Sequence, residues 1–401
     1  MPSIDPEALC IVKTLTSQGF TCYFAGGWVR DYLLGIESAD IDLATDAPAC
    51  VVMELFPKTV PIGLAFGIVL VVLQGKSFEV ATFRSDVSYA DGRRPTSVVF
   101  TDAKSDAMRR DFTINGLFFD PLRQEVIDYV GGQEDLKKRR LRAIGNPHLR
   151  IEEDRLRMLR AIRLSCKLGF VIEPETKEAI EAHARALFPS VAMERVMQEL
   201  RKMCDHSTRV EAFSSLFSLG LFQEIFPMYV PLTPPLWKQK LLPLKRYPSS
   251  LPLIVYLRPF FSRDHLLALV CYAKLSNREK QVASFWIETE ILLEHSSIDE
   301  YSWVQFYAAD LSHLYLEITA YGLGEREKSW LNEHEKRKKR LSKHIRRKQD
   351  SSPVLSSAYL MQKGISPGKN FGELLLAAEK LSVNEDIDDP DLLFLRVVSK
   401  A

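Results

Sequence analysis

Two aspartates, Asp40 and Asp42, are separated by one residue in an otherwise apolar run and could hold metal ions. Side chains at positions i and i+2 of a strand project from the same face of a sheet, so the two carboxylates would lie side by side. Such a pair is unfavourable unless a cation lies between its members. Carboxylate oxygens suit Mg2+, whose remaining positions are taken by water and phosphate. The pair therefore predicts phosphoryl or nucleotidyl transfer.

The third carboxylate of this predicted metal site is Glu79, in the strand-like segment FEVATFR. In a two-metal mechanism, one ion activates the attacking hydroxyl and both stabilise the charge that is shared with the leaving pyrophosphate. We therefore expect Asp40, Asp42 and Glu79 to be catalytic, with the two aspartates as metal ligands. The alternatives are a pair of turn aspartates and a glutamate on an exposed strand face.

Gly26 and Gly27 follow a short apolar segment and precede Arg30. Glycines after a strand let the backbone turn tightly and approach a ligand, and a helix that begins there offers N–H groups to a phosphate. Gly27 and Arg30 are therefore candidate contacts for a triphosphate. A plain Gly-Gly turn is the alternative, but the aspartate pair that follows at Asp40 and Asp42 favours phosphate binding.

A second basic motif, MRRDFTING, places Arg110 and Asp111 just ahead of an apolar segment. Arg110 could hold phosphate or sugar oxygens, and Asp111 could accept a hydrogen bond from a ribose hydroxyl. An ion pair at a helix start is the alternative.

Upstream, residues 85–100 are expected to form a polar loop, and loops of this length tend to be functional or mobile. The charged and glycine residues of that loop are Asp86, Asp91, Gly92, Arg93 and Arg94.

The segment EEDRLRMLRAIR, residues 152–163, carries the candidate residues for base recognition. Asp154, Arg157 and Arg160 are three residues apart, so on a helix their directions stay within an arc of about 120°. An aspartate accepts hydrogen bonds where an arginine donates them, so the couple could complement the edge of a nucleobase. Arg163 is rotated further. For a helix with four arginines, a solvated surface is the alternative.

Two kinds of scaffold must position these motifs. Between residues 20 and 130, six short β-rich runs are separated by turn residues, with one helical stretch at 48–56, which predicts a mixed α/β domain. From about residue 146, amphipathic helical segments follow one another, interrupted by a proline-rich stretch at 227–259. The predicted fold class is therefore an α/β head followed by an all-α region. The six runs are CYFAG, IDLAT, GIVLVVLQ, FEVATFR, SVVFTD and EVIDYV.

The composition permits this organisation. A chain of 401 residues, 46% of them apolar, can bury a substantial core in two or more domains. The net charge of +1 predicts no strong overall attraction to a polyanion, but the basic runs 137–142 and 336–348 either contact phosphate or form solvated faces. No membrane span or leader is expected, and the six cysteines lack a disulfide or metal-binding spacing. We expect a soluble, reduced, cytoplasmic protein.

Together the motifs resemble the class II tRNA nucleotidyltransferases and bacterial poly(A) polymerases of the polymerase-β-like superfamily. AGGWVRD followed by ADIDLATD is similar to the first motif of this family, and RRDFTING is similar to its R-R-D-F-T-I-N-A motif, with Gly116 in place of alanine. EEDRLRMLRAIRLSCKLGF resembles the nucleotide-reading helix, MERVMQELRKM the segment after it, and GISPGKNFGELL the tail signature. The resemblance is specific over roughly the first 205 residues.

This resemblance implies both an architecture and a reaction. The architecture is a polymerase-β-like nucleotidyltransferase head (1–145), an all-α neck that recognises the base (146–205), a helical body (206–300) and a helical tail that contacts tRNA (301–401). In the reaction, the tRNA 3′-hydroxyl attacks the α-phosphate of CTP or ATP and pyrophosphate leaves. Because a protein edge chooses between CTP and ATP, no nucleic-acid template is needed.

The resemblance also implies roles for the candidate residues. The catalytic carboxylates are Asp40, Asp42 and Glu79, of which the two aspartates bind Mg2+. The nucleotide-binding residues are Gly27, Arg30, Arg110, Asp111, Asp154, Arg157, Arg160 and Arg163. Within this second set, Asp154 and Arg157 pair with the incoming base, and Arg110 and Asp111 hold the nucleotide and select ribose.

Members of the family differ in their product, which is the whole CCA end, only CC, only A, or poly(A). The full-length loop at 85–100 and the segment PIGLAFGIVLV favour addition of CCA to the 3′ acceptor end of tRNA. The alternatives are a poly(A) polymerase or a partial (CC- or A-adding) tRNA nucleotidyltransferase. A non-catalytic RNA-binding descendant is a third possibility, which the intact acidic and basic motif residues disfavour.

Overall fold

The computed structural model describes residues 3–38, 40–89, 95–368 and 370–399. They divide into a first compact unit that ends at Leu241 and a second that begins at Leu242. This division lies within the proline-rich stretch. The finer division into head, neck, body and tail stays a prediction.

The strands of the first unit form one seven-stranded mixed sheet and two small two-stranded sheets. In the large sheet the order is β3-β4-β5-β2-β1-β8-β9, and β2 and β5 are parallel while the other neighbours are antiparallel. The small sheets pair β6 with β7 and β10 with β11. The strands are β1 Cys22–Ala25, β2 Asp42–Thr45, β3 Thr59–Gly63, β4 Ile68–Leu73, β5 Lys76–Thr82, β6 Arg84–Tyr89, β7 Pro95–Phe100, β8 Leu117–Asp120, β9 Glu125–Asp128, β10 Arg140–Leu141 and β11 Val171–Ile172.

Helices cover this sheet and continue beyond it. A buried cluster joins Ala25, Ala44 and Phe118 of the strands to Ala103 and Ala107, which lie in a helix. The first helix begins where Asp5 accepts hydrogen bonds from the two backbone N–H groups that follow Pro6. The helices of this unit are α1 Pro6–Ser17, α2 Gly27–Leu33, α3 Ala49–Leu55, α4 Ala103–Met108, α5 Gly132–Lys137, α6 Pro147–Glu153, α7 Arg157–Leu168, α8 Pro174–His183, α9 Met193–Cys204, α10 Arg209–Ser218, α11 Leu221–Ile225 and α12 Pro234–Leu241.

The second unit is helical throughout its described residues. It has its own apolar cluster, which includes Leu355, Leu360, Ala378 and Leu393. None of the described helices combines the length and apolar content that crossing a bilayer requires. The helices are α13 Leu253–Leu257, α14 Arg263–Tyr272, α15 Asn277–Leu293, α16 Glu300–Ala308, α17 Ser312–Tyr321, α18 Glu327–Arg340, α19 Ser342–Gln349, α20 Ser357–Gln362, α21 Phe371–Asn384 and α22 Pro390–Val398.

The predicted fold class, an α/β head followed by an all-α region, is confirmed. Each of the six predicted β-rich runs overlaps a strand. The expected polar loop is wrong for the described residues 85–89 and 95–100, because β6 and β7 pair as antiparallel strands. Backbone pairing with a neighbour can impose a strand on a polar segment whose own composition favours a loop. Of the residues singled out there, Asp91, Gly92, Arg93 and Arg94 lie outside the described residues.

The expectation of one continuous helix through residues 152–163 is also wrong. Helix α6 ends at Glu153, and Asp154 is extended, with φ −148° and ψ 100°. The Asp154 carboxylate accepts a hydrogen bond from the backbone N–H of Leu156 and so competes with helix continuation. Because α7 begins only at Arg157, the angular argument that placed Asp154 on one helix face with the arginines does not hold.

Candidate active site

Asp42 and Glu79 lie side by side on the large sheet. Asp42 is the first residue of β2, where it is the register partner of Glu79 in the parallel strand β5 and of Ala25 at the end of β1. Register partners project from the same face of a sheet. Asp42 is exposed and Glu79 is half-buried. Asp40 is exposed and precedes the strand. The prediction that Asp40 and Asp42 project from one face of a strand, as residues i and i+2, therefore does not hold.

The electrostatics of this pair favour a bound cation. Desolvation raises the pKa of Asp42, while the positive charge of Arg110 opposes the rise and Asp40 adds to it. Desolvation also raises the pKa of Glu79, and the negative charge of Asp42 adds to that rise while Arg84 opposes it. Asp40 therefore destabilises the charged form of Asp42, Asp42 destabilises that of Glu79, and a cation would relieve this repulsion.

A metal ion at this position would need ligands from outside the protein. Among the described residues, no group of three or more His, Cys, Asp and Glu side chains is arranged to hold a metal ion. Two carboxylates that repel each other, on an open face of the sheet, fit a hard cation whose remaining ligands are water and phosphate oxygens.

The turn after β1 brings a glycine against Arg110. Gly26 has φ +67°, and a Cβ atom there would lie 3.1 Å from Nη1 of Arg110, so a larger residue would be strained and would displace the guanidinium. Gly27 begins α2 directly behind it, and no side chain caps that helix start. The turn therefore combines a close backbone approach with a cation, as phosphate binding requires.

Arg30 lies on α2 but points into the protein. Its side chain is buried, Nε donates to Oδ1 of Asp31 at 2.7 Å, and Nη1 donates to Oδ1 of Asn115 at 2.7 Å. Asn115 in turn donates through Nδ2 to Oδ1 of Asp111 at 3.1 Å. Arg30 thus connects the glycine turn with the second motif, and its contact with a triphosphate stays a prediction.

Asp106, which the sequence analysis did not select, holds the Arg109–Arg110 pair. Its buried carboxylate accepts from Arg109 at 2.7 Å on Oδ1 and from Arg110 at 2.9 Å on Oδ2. Burial tends to raise the pKa of Asp106, but the two guanidinium groups lower it overall. Arg110 also lies over the ring of Phe118, 4.9 Å from its centroid. A single buried acid therefore orients the arginine beside the glycine turn.

Asp111 connects the head to α7. Its Oδ2 accepts from Nε and Nη2 of Arg160 at 2.9 and 2.6 Å, and its Oδ1 accepts from the backbone N–H of Phe112. Desolvation would raise the pKa of this carboxyl, but the Arg160 charge and the hydrogen bonds hold it well below the ordinary value. The carboxylate is thus fully engaged within the protein, and its selection of ribose stays a prediction.

The two candidate base-reading residues have separate partners. Oδ2 of Asp154 accepts from Nη2 of Arg195 on α9 at 2.8 Å. Arg157 is buried, and its Nη1 donates to Oε2 of Glu153 at 2.7 Å and to the carbonyl oxygen of Arg150 at 2.5 Å. The structure brings both residues to the junction of α6 and α7. Both are engaged there by groups that a base would have to displace.

Glu199 on α9 is a further residue that the sequence analysis did not select. It is buried, its Oε2 accepts from Nε of Arg163 at 2.6 Å, and its Oε1 lies 3.9 Å from Nη1 of Arg160. The sequence feature that could have identified Glu199 is its position on the apolar face of α9, beside Val196 and Leu200. A charge at such a position needs a buried partner.

Apart from Asp154 and Arg157 at the α6–α7 junction, most candidate residues fall into two groups. The first comprises the sheet carboxylates and Arg110 beside the glycine turn. The second is an ionic network that runs from the head into the helices. Its members are Asp31, Arg30, Asn115, Asp111, Arg160, Glu199 and Arg163.

Two protein families match parts of the first unit. Residues 22–142 match the family described as Poly A polymerase head domain, and residues 169–232 match the family described as Probable RNA and SrmB- binding site of polymerase A. These two matches confirm the resemblance of the motifs to the tRNA nucleotidyltransferase and poly(A) polymerase family. Nucleotidyltransferases of this family generally use divalent metal ions.

The curated relatives that this chain resembles include two CCA-adding enzymes. The chain is 43% identical over 220 residues to a CCA-adding enzyme of Bacillus pumilus, covering 55% of this chain and 54% of the relative. It is 44% identical over 227 residues to a CCA-adding enzyme of a Geobacillus species, covering 56% of this chain and 54% of the relative. The chain thus spans about half the length of the curated relatives that it matches.

A solved structure extends the likeness to the whole chain. The crystal structure of the Bacillus stearothermophilus CCA-adding enzyme in complex with CTP matches with a TM-score of 0.78 and 28% identity, over 99% of both chains. The Thermotoga maritima CCA-adding enzyme complexed with tRNA matches with a TM-score of 0.66 over 99% of this chain and 96% of the other, and at 22% identity it supports the fold alone.

Proposed function

We propose that the chain is a template-independent tRNA nucleotidyltransferase, which adds CCA to tRNA 3′ ends from CTP and ATP and releases pyrophosphate. The observation that carries this proposal is the register pairing of Asp42 with Glu79 beside a glycine turn that faces Arg110. The likeness over 99% of the chain to a CCA-adding enzyme that binds CTP supports it.

Three carboxylates carry the transfer step in this proposal. Asp40 and Asp42 hold Mg2+, and Glu79 is the third carboxylate of the site. When bound, Mg2+ would activate the tRNA 3′-hydroxyl and stabilise the charge on the leaving pyrophosphate. Arg110, fixed by Asp106 and close to the backbone at Gly26, supplies a positive charge beside the triphosphate.

The remaining contacts to the nucleotide come from α2, from the RRDFTING motif and from the α6–α7 junction. Gly27 and Arg30 contact the triphosphate from α2, and Asp111 selects ribose. Asp154 and Arg157 pair with the base when it displaces Arg195 from the first and Glu153 from the second. The ion pairs of Arg160 and Arg163 keep α7 in position for that exchange.

The proposed substrates also define the partners and the compartment. The 3′ acceptor end of tRNA is the macromolecular partner, and we propose that the helical neck, body and tail contact it. The RNA-binding description of the family that residues 169–232 match supports this partner. Because the proposed reaction consumes tRNA, CTP and ATP, we propose that the chain acts in the cytoplasm.

Extension of tRNA tests the proposed function. The purified full chain is incubated with Mg2+ and tRNA transcripts that end at the discriminator base, at C or at CC, with CTP and ATP supplied singly and together. We expect growth by CCA followed by arrest, and no growth for Asp42→Ala. The control Glu54→Ala removes an exposed carboxylate from α3 and should extend tRNA normally.

Three other outcomes contradict CCA addition. Long A tracts on a primer that is not tRNA would identify a poly(A) polymerase instead. Arrest after CC, or extension only of tRNA that ends in CC, would identify a partial enzyme. RNA binding without extension, unchanged in Asp42→Ala, would identify a non-catalytic RNA-binding protein.

A further inference from the structure

A basic pocket lies in the first unit where α7, α9 and the start of α10 meet. We define it by Arg163 and Lys167 from α7, Lys202 from α9, and Asp205, His206 and Thr208 from the turn between α9 and α10. These residues line a cavity of about 260 Å3. Apart from Arg163, none of them belongs to the candidate active site.

The cations of the basic pocket outnumber its acids. Arg163 is matched by Glu199, with Nε and Oε2 2.6 Å apart. Lys167 and Lys202 are exposed, and within the part of the chain that the structure describes neither forms an ion pair. Asp205 is the acid among the lining residues. The basic pocket therefore carries a net positive charge that is available to a bound anion.

The lowered pKa of His206 also indicates a positive electrostatic potential in the basic pocket. The half-buried imidazole lies with Nδ1 3.2 Å from Oγ1 of Thr208. Burial lowers the pKa of His206, and the positive charges of Lys167 and Arg209 lower it further. An anion in the basic pocket would oppose these two charges and could accept hydrogen bonds from both the imidazole and the hydroxyl group.

The ends of two helices explain part of this charge. Lys167 and Lys202 lie in the last turns of α7 and α9, where cations are favoured by the helix dipole. That effect accounts for a lysine at each helix end. It does not account for the convergence of both lysines, the imidazole and a hydroxyl group on one cavity, which is the donor set that a phosphate group requires.

We propose that the basic pocket binds a backbone phosphate of the RNA substrate, an inference that rests on the proposed function. Lys202, Asp205 and His206 belong to the stretch that matches a polymerase A RNA-binding family. Lys167 is ten residues beyond Arg157 on α7, which corresponds to roughly 15 Å along the helix axis. The basic pocket is thus separated from the proposed base-reading residues and suits RNA better than the incoming nucleotide.

Salt-dependent tRNA binding tests the inference. We compare the wild-type chain with the double variant Lys167→Ala/Lys202→Ala at several ionic strengths. Loss of one phosphate contact should weaken tRNA binding by about tenfold and lower the slope of log K against log salt by roughly 1. The matched control Lys13→Ala/Lys58→Ala removes two exposed lysines of the same unit that lie outside the basic runs and outside the RNA-binding family match, and it should change neither quantity.

A second measurement identifies the source of the phosphate. The His206 ring resonance, assigned with His206→Gln, is followed by NMR while inorganic phosphate, pyrophosphate, CTP or tRNA is added. We expect tRNA to shift this resonance at the lowest concentration. An equal or stronger response to CTP or pyrophosphate would assign the basic pocket to free nucleotides and overturn the inference.

The inference and the proposed function fail in different ways. If the wild-type chain extends tRNA but Lys167→Ala/Lys202→Ala binds it like the control pair, the basic pocket has no role in RNA binding while the proposed function stands. If the wild-type chain neither binds nor extends tRNA, the proposed function fails and the inference fails with it.

Discussion

The carboxylates on the sheet are held in an arrangement that is unfavourable by itself. Asp42 and Glu79 occupy register positions on parallel strands, and the negative charge of Asp42 raises the free energy of the charged form of Glu79. Side chains that oppose each other in this way are typical of a functional site, because a fold selected only for stability would separate them. The same two carboxylates therefore form the proposed catalytic site and cause the local electrostatic cost.

The raised pKa of Asp42 makes the stability of the folded chain depend on pH. The folded chain holds this proton more tightly than the unfolded chain does, so the stabilising contribution exists below the unfolded pKa and is lost as the pH rises through the folded pKa. At pH 7, Asp42→Asn should therefore unfold at an equal or higher urea concentration than the wild type. Its extension of tRNA should fall by about 100-fold or more, the order lost with one electrostatic catalytic group.

Urea unfolding at pH 7 and pH 4 measures this effect, with the exposed residue change Glu54→Gln on α3 as the control. The gain of Asp42→Asn over the wild type should shrink towards pH 4, because the wild-type carboxyl is then increasingly protonated. A clear loss of stability at pH 7 would mean that the Asp42 carboxylate stabilises the fold.

At the scale of elements, the α6–α7 junction depends on ion pairs with the head. The carbonyl oxygen of Arg109 accepts from Arg150 at 3.2 Å, and the Asp111 carboxylate accepts twice from Arg160. On the amphipathic helix α7, Arg157 also donates to the carbonyl oxygen of Arg109, while the apolar residues of the helix are mostly buried. The position of α7 against the head is therefore set by charges as well as by apolar burial.

Asp111→Asn should destabilise the first unit. The change leaves Arg160 without its carboxylate, and we expect a loss of roughly 2 kcal/mol in the free energy of unfolding. Because the pKa of Asp111 is lowered in the folded chain, its contribution exists above the unfolded pKa of about 4 and is lost as the pH falls towards the folded pKa. The difference between variant and wild type should thus be constant from pH 5 to 8 and smaller at pH 3.

A double-mutant cycle with Arg160→Ala measures how much of that loss belongs to the pair. The control is the exposed pair of Glu134 on α5 and Lys138 just after it, for which Glu134→Gln should leave the free energy of unfolding nearly unchanged. Equal unfolding midpoints for Asp111→Asn and the wild type would contradict the structural role given to this carboxylate.

At the scale of the whole molecule, we propose two functions for the basic run 336–348. Several of its cations pair with acids of the second unit and so attach α18 and α19 to other helices. These pairs are Arg340 with Glu300, Lys343 with Asp386 and Asp388, Arg347 with Asp388, and Lys348 with Glu379. Lys336, Lys338 and Lys339 are exposed on α18, and we assign tRNA contact to these three.

Two variants separate these functions. Lys338→Ala/Lys339→Ala should weaken tRNA binding by about 3- to 10-fold and leave the free energy of unfolding within about 0.5 kcal/mol of the wild type. Arg347→Ala should lower the free energy of unfolding by up to about 1 kcal/mol, since its pair with Asp388 is partly exposed, and should leave tRNA binding nearly unchanged. The reverse pattern in the binding and unfolding measurements would exclude this division.

Sequence alone was sufficient for the class of the fold and for the residue types of the site. Six β-rich runs and the helical segments that follow them depend on periodicities within a few residues, so they were predicted. The pairing of Asp42 with Glu79 was only suspected, because strand register joins residues 37 positions apart. The partners of Asp154 and Arg163 were missed for the same reason, since both lie on α9, more than 30 residues downstream.

The amino-acid sequence by itself determined that this chain would have an α/β head with paired aspartates, a glycine turn and a basic helix, because side-chain chemistry and local spacing encode those features. Only the tertiary structure decided that Asp154 stands outside α7, that β6 pairs with β7, and that Glu199 pairs with Arg163. The physical reason is that a buried charge must find a partner, and chain folding brings that partner from a distant segment.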